Sequence, residues 1–307
     1  MADNETTMKD LLIALRFHLE AERNDTGTLR SVRQVKRGVL PVKPVYPCVT
    51  VVPMSEQVVS YRSSRRVLVE REVMLHVLAL DPRGKGGLTT AQGICEACLD
   101  IIRDNGTAEG STGATNAMGV TLGGMEFNDG KPIDGAGLYN VSLPATYLSR
   151  DALAPLSEVY RDGQNDNATA TAIVNAIHTG MAAKSGTTLN QFRRFDAEEW
   201  GPNASFPRLL VSAKTERQGK NMAGIDIVSG GYEVLIESLV GTARDTSMDF
   251  HLGLLEPVRD ALEEEDHWGG KTYSAKVGVI GFNAAQVGGK PVYQTNISYE
   301  TESIHKA

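Results

Sequence analysis

Residues 119–148 read GVTLGGMEFNDGKPIDGAGLYNVSLPATYL, and residues 278–301 read GVIGFNAAQVGGKPVYQTNISYET. Each is a run of β-formers, a turn built on Gly, Lys and Pro, and a second run in which apolar and polar residues alternate. That is the pattern of a strand pair. The same short sequences recur in the same order. Gly119-Val120 stands 159 positions before Gly278-Val279, and Phe127-Asn128 stands 155 before Phe282-Asn283. Gly130-Lys131-Pro132 stands 159 before Gly289-Lys290-Pro291, and Asn140-Val141-Ser142 stands 156 before Asn296-Ile297-Ser298. Each match alone is ordinary turn chemistry. Insertions in hairpin loops shift offsets by a few residues, and the shared order points to one unit present twice.

Outward from these pairs, both halves follow one plan. In the first, Thr6 or Thr7 caps a helix whose Leu11, Leu12, Leu15 and Leu19 recur at helical spacing to about Arg23. A polar, basic linker and the proline-punctuated path 40–47 lead to a strand at Val49–Val52. A longer strand follows at Val67–Leu80, opening on the alternation Val67, Val69, Arg71, Val73. Ala91, Ile94, Cys95, Cys98, Leu99 and Ile102 mark an amphipathic helix, which Asn105-Gly106 ends with Gly106 in the left-handed position. Strands near 119–127 and 138–148 close the half. After a linker at 151–167, Ala172, Ile173, Ala176, Ile177 and Met181 mark a helix. Strands at 209–213 and 232–240, a helix through Leu254, Leu255, Val258 and Leu262, and strands at 271–282 and 292–301 complete the second half. The expectation is an α+β chain of two similar domains, 1–150 and 168–307. Each is ordered α-β-β-α-β-β, with helices packed on a mostly antiparallel sheet.

Composition bounds the chemistry. A chain of 307 residues with 41% hydrophobic and 22% charged residues carries a sizeable core. It opens MADNETTMKD, without the basic start and apolar run of a secretory signal, and no apolar run reaches the roughly 20 residues of a membrane helix. Three cysteines are too few and odd in number for a disulfide framework, so a soluble protein of a reducing compartment is expected. The net charge of −7 is uneven. Residues 1–150 hold 17 Lys+Arg and 17 Asp+Glu, which leaves 14 and 21 for the rest. Acidity argues against a general nucleic-acid binder. The basic stretches 23–43 and 62–71 and the acidic run Glu263-Glu264-Glu265-Asp266 read either as solvated faces or as surfaces through which one copy docks on another.

No constellation supports catalysis. Cys95 and Cys98 have CxxC spacing, but no second ligand pair follows, and both fall mid-helix on the apolar face, the place of small buried hydrophobes. The six histidines form no HxH or HExxH pattern, and Asp266-His267, adjacent on a helix, is a poor ligand pair. Gly84-Lys85-Gly86-Gly87 is neither a P-loop nor a dinucleotide fingerprint. No catalytic, cofactor or metal residue is expected, and a structural or interaction protein fits better than an enzyme whose site is assembled from distant residues.

The first half resembles the tail-terminator, or tail-completion, proteins of long-tailed bacteriophages. The resemblance rests on the opening helix Met8–Leu15, on Leu40-Pro41 followed by Val49–Pro53, on Val67–Leu80, on the helix 88–103 and on the last strand pair ending Leu143-Pro144-Ala145-Thr146-Tyr147. The second half looks like a diverged copy. The resemblance implies a virion protein of the tail or neck, assembled in the host cytoplasm. It would close into a ring on the tail tube, end polymerisation of the tube and present the surface that joins tail to head. Implied partners are further copies of the chain, the tail-tube protein, a head-tail connector or neck protein and, where the tail contracts, its sheath. DNA would pass through the ring without sequence-specific contacts. A hexamer would carry twelve domains, and a trimer would present six as a pseudo-six-fold ring; the unlike charge of the halves favours the hexamer. Arg62, Arg65, Arg66 and Arg71 are candidates for the basic side of the subunit interface, and Glu263, Glu264, Glu265 and Asp266 for the acidic side. Another neck or tail-tube component is the alternative within virions, and a soluble enzyme the alternative outside them.

Overall fold

Of the two threonines the sequence offers as a cap, Thr7 starts the first helix. Its hydroxyl accepts from Asp10 N at 3.1 Å while its own N–H donates to Asp10 Oδ2 at 3.3 Å, so two orphan donors of the first turn are satisfied. The structure, a computed structural model, describes residues 7–38, 44–63, 66–81, 86–108, 117–129, 137–152, 168–200, 205–222, 225–241, 244–265, 268–272 and 274–306. It is mixed α+β, with mostly antiparallel sheet pairing. The chain divides into two compact units, residues 1–152 with 242–248, and residues 153–241 with 249–307. Of the linker expected at 151–167, Asp151 and Ala152 belong to the last strand of the first unit, and residues 153–167 lie outside the described residues.

The first unit contains α1 (Met8–Ala21), β1 (Gln34–Arg37), β2 (Cys48–Ser63), β3 (Arg66–Asp81), α2 (Gly87–Asp104), β4 (Ala117–Leu122), β5 (Glu126–Asp129) and β6 (Gly137–Ala152). Its strands run in the order β6-β3-β2-β1, with β4 and β5 both paired to the far side of β6. All pairs are antiparallel except β1 with β2. Register builds the core. Val49, Val77 and Val141 stand in one row, Val51, Leu75 and Leu143 in the next, and all six are buried. Leu11, Leu12, Leu15 and Leu19 of α1 and Ala91, Cys95, Cys98 and Ile102 of α2 are buried as well, with α1 against β1 and β2 and α2 against β3 and β6.

The second unit contains α3 (Ala170–Ala183), β7 (Arg194–Ala197), β8 (Arg208–Met222), β9 (Ile225–Leu239), the greater part of α4 (Arg244–Glu264), β10 (Ser274–Val287) and β11 (Lys290–Lys306). Its strand order is β10-β11-β9-β8-β7, antiparallel except for β7 with β8. Val211, Val234 and Ile297 form one core row and Ala213, Tyr232 and Tyr299 the next. Ile173, Val174, Ile177 and Met181 of α3 and Leu254, Leu255, Val258 and Leu262 of α4 cover them.

Several local details occur once in each unit. Arg33 N donates to Pro47 O at 2.8 Å and Arg193 N to Pro207 O at 2.9 Å. Gly38 N donates to Val51 O, and Glu198 N to Val211 O, both at 2.8 Å. The β2–β3 ladder slips between Pro53 and Ser55, and the β8–β9 ladder between Ala213 and Thr215. Ser149 Oγ donates to Val69 O at 3.5 Å, and Ser303 Oγ to Val228 O at 3.3 Å.

Sequence and structure differ in several places, among them β8 and β9, which run to Met222 and from Ile225 where strands at 209–213 and 232–240 are expected. The stretch read as a basic linker holds β1, and the polar loop around Arg193 and Arg194 holds β7, so each unit has a short parallel strand outside the expected order. The strand expected at 119–127 is broken at Gly123 and Gly124 into β4 and β5. β2 continues eleven residues past Val52, through Pro53, which sits beside the ladder slip where a missing N–H is tolerated. Gly106 is not left-handed; Ala108, φ 48°, takes the positive φ after α2.

Candidate functional site

The charged residues expected at a subunit interface fall into different environments. Arg71 is removed from that surface. Alternation along β3 puts it on the face of Val69, Val73 and Leu75, where its side chain is 0% exposed. Its Nε pairs with Glu56 Oε2 at 2.9 Å, and its guanidinium also donates to Ser149 Oγ. A guanidinium so enclosed is satisfied within its own unit. Arg62 and Arg66 lie in β2 and β3 at the hairpin tip, and Arg65 lies outside the described residues.

The acidic run ends α4. Glu263 is 3.9 Å from Arg259 one turn earlier, and Glu264 pairs with Lys184 Nζ at 3.1 Å. The backbone oxygen of Glu265 accepts from Tyr299 Oη at 3.3 Å, and its side chain is exposed. Asp266 lies outside the described residues, as does His267. The structure therefore brings Glu263 and Glu264 onto cations of their own unit and leaves Glu265 facing solvent.

Two polar clusters escaped the sequence. In the first, Arg208 stands opposite Glu237 and binds its carboxylate at 2.6 Å, while Gln294 donates to the other oxygen at 2.6 Å. The Arg208 guanidinium lies 3.8 Å from the Trp200 ring centroid and 4.8 Å from that of Phe206, a cation set against two π faces. At the corresponding rungs of the first unit, Cys48 stands opposite Leu78. Only the strand register could reveal this pair, because its members are far apart in sequence and each looks like a surface charge.

In the second cluster, His251 of α4 shares hydrogen bonds with Ser238 Oγ through Nδ1 and Thr295 Oγ1 through Nε2, both at 2.8 Å. Burial drives its pKa down to about 3. A neutral ring donates at one nitrogen and accepts at the other, which suits two hydroxyls. The unfolded chain takes up this proton near pH 6.5 and the folded chain does not until about pH 3. The His251 contribution to stability is therefore complete above pH 6.5 and falls through the window below it by about 1.4 kcal/mol per pH unit. Urea titrations between pH 7 and pH 4 should show a slope that His251→Gln flattens; equal slopes would refute the assignment.

Burial raises the thiol pKa of Cys48 and Cys95 to about 11 and that of Cys98 further, so the CxxC pair is an inert part of the α2 core. Among the described residues no three His, Cys, Asp or Glu side chains are grouped to hold a metal ion. No helix among them is long and apolar enough to cross a membrane.

The second unit carries an open polar groove of about 640 Å³. Gly230 and Gly231 of β9 form part of its lining together with Thr215, Lys276, Glu300 and Glu302. Thr215 Oγ1 lies 2.6 Å from where a Cβ of residue 231 would stand, so a larger residue there would have to turn the Thr215 side chain aside. Ser274 Oγ donates to Glu302 at 2.9 Å. The groove presents hydroxyls, the carboxylates of Glu300 and Glu302 and the ammonium of Lys276. No family model matches the chain, and no curated protein matches it.

Proposed function

We propose that this chain is a virion structural protein whose copies close into a ring on the end of a phage tail tube, ending its polymerisation and offering the surface that joins tail to head. The observation that carries the reading is the doubled plan. Two units each set a short parallel strand, a long hairpin with a slip at the same rung, and a second hairpin beside it. We read them as copies of one ancestral α+β domain, because hydrogen bonds recur at positions 160 residues apart: Arg33 with Arg193, and Gly38 with Glu198. A duplicated domain whose copies differ in charge suits a scaffold that meets unlike partners on its two parts. Repetition of one heterologous contact about an axis closes a ring.

Native mass spectrometry and negative-stain microscopy of the purified chain test this. The expected result is a closed ring of six copies, or of three if both units occupy equivalent places. A monomer at all concentrations overturns the ring. Particles made without the protein should carry overlong or headless tails, and unchanged tails overturn the assignment to the tail end.

A further inference from the structure

One strand of the second unit has far more backbone edge than its own sheet covers. β8 pairs with β9 along nearly its whole length, from Arg208 to Met222. On its other side β7 covers only Arg208–Val211. Among the described residues no strand pairs with that side from Ser212 to Met222. That edge is eleven residues, about 36 Å at roughly 3.3 Å per residue. A free edge of this length is a template for another strand, and proteins ordinarily blunt such edges. Here the blunting is partial. Ladder slips at Ala213/Thr215 and Gln218/Asn221 bar indiscriminate stacking, while the backbone groups between them stay available to a partner of matching shape.

The first unit offers such a partner. β4 pairs with β6 on one side, and among the described residues its other side has no strand. Met118 on β4 is 49% exposed. Charge agrees with the match. Lys214 pairs with Glu233 of its own sheet at 2.7 Å, and the rest of 212–222 holds Arg217 and Lys220 against Glu216, a balance of +1. Beyond β4 on the same side of β6, β5 holds Glu126 and Asp129, and residues 117–129 carry no Lys or Arg, a balance of −2.

We infer that the free edge of β8 in one copy hydrogen-bonds to the free edge of β4 in the next. The partner is a second copy of this chain, and the contact is heterologous because the two edges belong to different units, so each copy gives one and receives one. The main chain supplies the affinity, and the opposed charges set the register.

This inference rests on the ring proposed above. Hydrogen exchange read by mass spectrometry, on the assembled protein and on the same protein diluted until it dissociates, tests it without altering the chain. Amides of 212–222 and of 117–122 should exchange at least tenfold more slowly in the assembly. An assembly in which neither stretch is protected overturns the pairing and leaves the ring standing. Protection of 212–222 alone assigns the edge to a different partner and also overturns it. No assembly at any concentration overturns ring and pairing together. Reversing charge with Arg217→Glu and Lys220→Glu should weaken assembly about tenfold at low salt, and adding Glu126→Lys and Asp129→Lys should restore it. Failure of that restoration counts against the register.

Discussion

Arg71→Met will destabilise the first unit by about 3–5 kcal/mol, the cost of leaving one member of a buried ion pair behind. Arg71 and Glu56 are 0% and 4% exposed at the side chain and 2.9 Å apart, with Ser149 as a further acceptor on the guanidinium. Removing the cation strands a carboxylate that has been taken out of water, and the desolvation cost is then uncompensated. Glu56→Gln alone should cost much as Arg71→Met does, because it leaves the guanidinium facing a neutral amide. The double replacement Arg71→Met with Glu56→Leu should recover most of the loss, since an apolar pair of similar volume restores packing with no charge to desolvate. Arg103→Ala is the control: its partner is Asp100 at 3.4 Å, both side chains are about two-thirds exposed, and screened pairs of this kind contribute little. Urea denaturation followed by circular dichroism reads all four, analysed as two transitions because the chain has two units. A cost below 1 kcal/mol for Arg71→Met would show that the pair is hydrated in solution.

The sequence held the clue to Arg71, and charge obscured it. The alternation Val67, Val69, Arg71, Val73 already placed the arginine on the valine face, and a strand cannot send one residue of an alternating series to the other side without a slip. Clustering with Arg62, Arg65 and Arg66 pointed outward instead. Periodicity is the stronger signal, because it is fixed by backbone geometry while charge only sets a cost. The helices were legible for the same reason. Leu11, Leu12, Leu15 and Leu19 fall on one helical face, and all four are buried. β1 and β7 were not legible. Four residues such as Gln34–Arg37 carry too short a pattern, and what makes them a strand is a parallel partner beginning 14 positions later. The acidic run was legible as a helix end, but Lys184, which pairs with Glu264, is 80 positions away. His251 was not legible either, because its hydrogen bonds go to Ser238 of β9 and Thr295 of β11, 13 and 44 positions away.

Trp268→Ala should cost the second unit about 3–5 kcal/mol, the range for deleting a large aromatic from a core. Trp268 is 2% exposed. Its indole N–H donates to Tyr299 Oη at 2.7 Å, and that hydroxyl donates in turn to Leu262 O at 3.0 Å, near the end of α4. The rings meet edge to face at 6.4 Å and 84°. Tyr299→Phe should therefore cost about 1–3 kcal/mol by orphaning a buried donor. The sharper test is the sign at Gly180 in α3. Alanine in a helix interior ordinarily stabilises by about 1 kcal/mol over glycine. At residue 180 an added Cβ would lie 2.6 Å from Trp268 Cζ3, a rigid ring edge, so Gly180→Ala should destabilise. At Gly253 of α4 nothing lies within 4 Å of an added Cβ, and Gly253→Ala should stabilise. In the Trp268→Ala background the obstacle is gone, and Gly180→Ala should turn from harmful to helpful. Thermal melts of the four variants decide it. If Gly180→Ala stabilises the wild-type chain, Trp268 does not hold α3 against the end of α4.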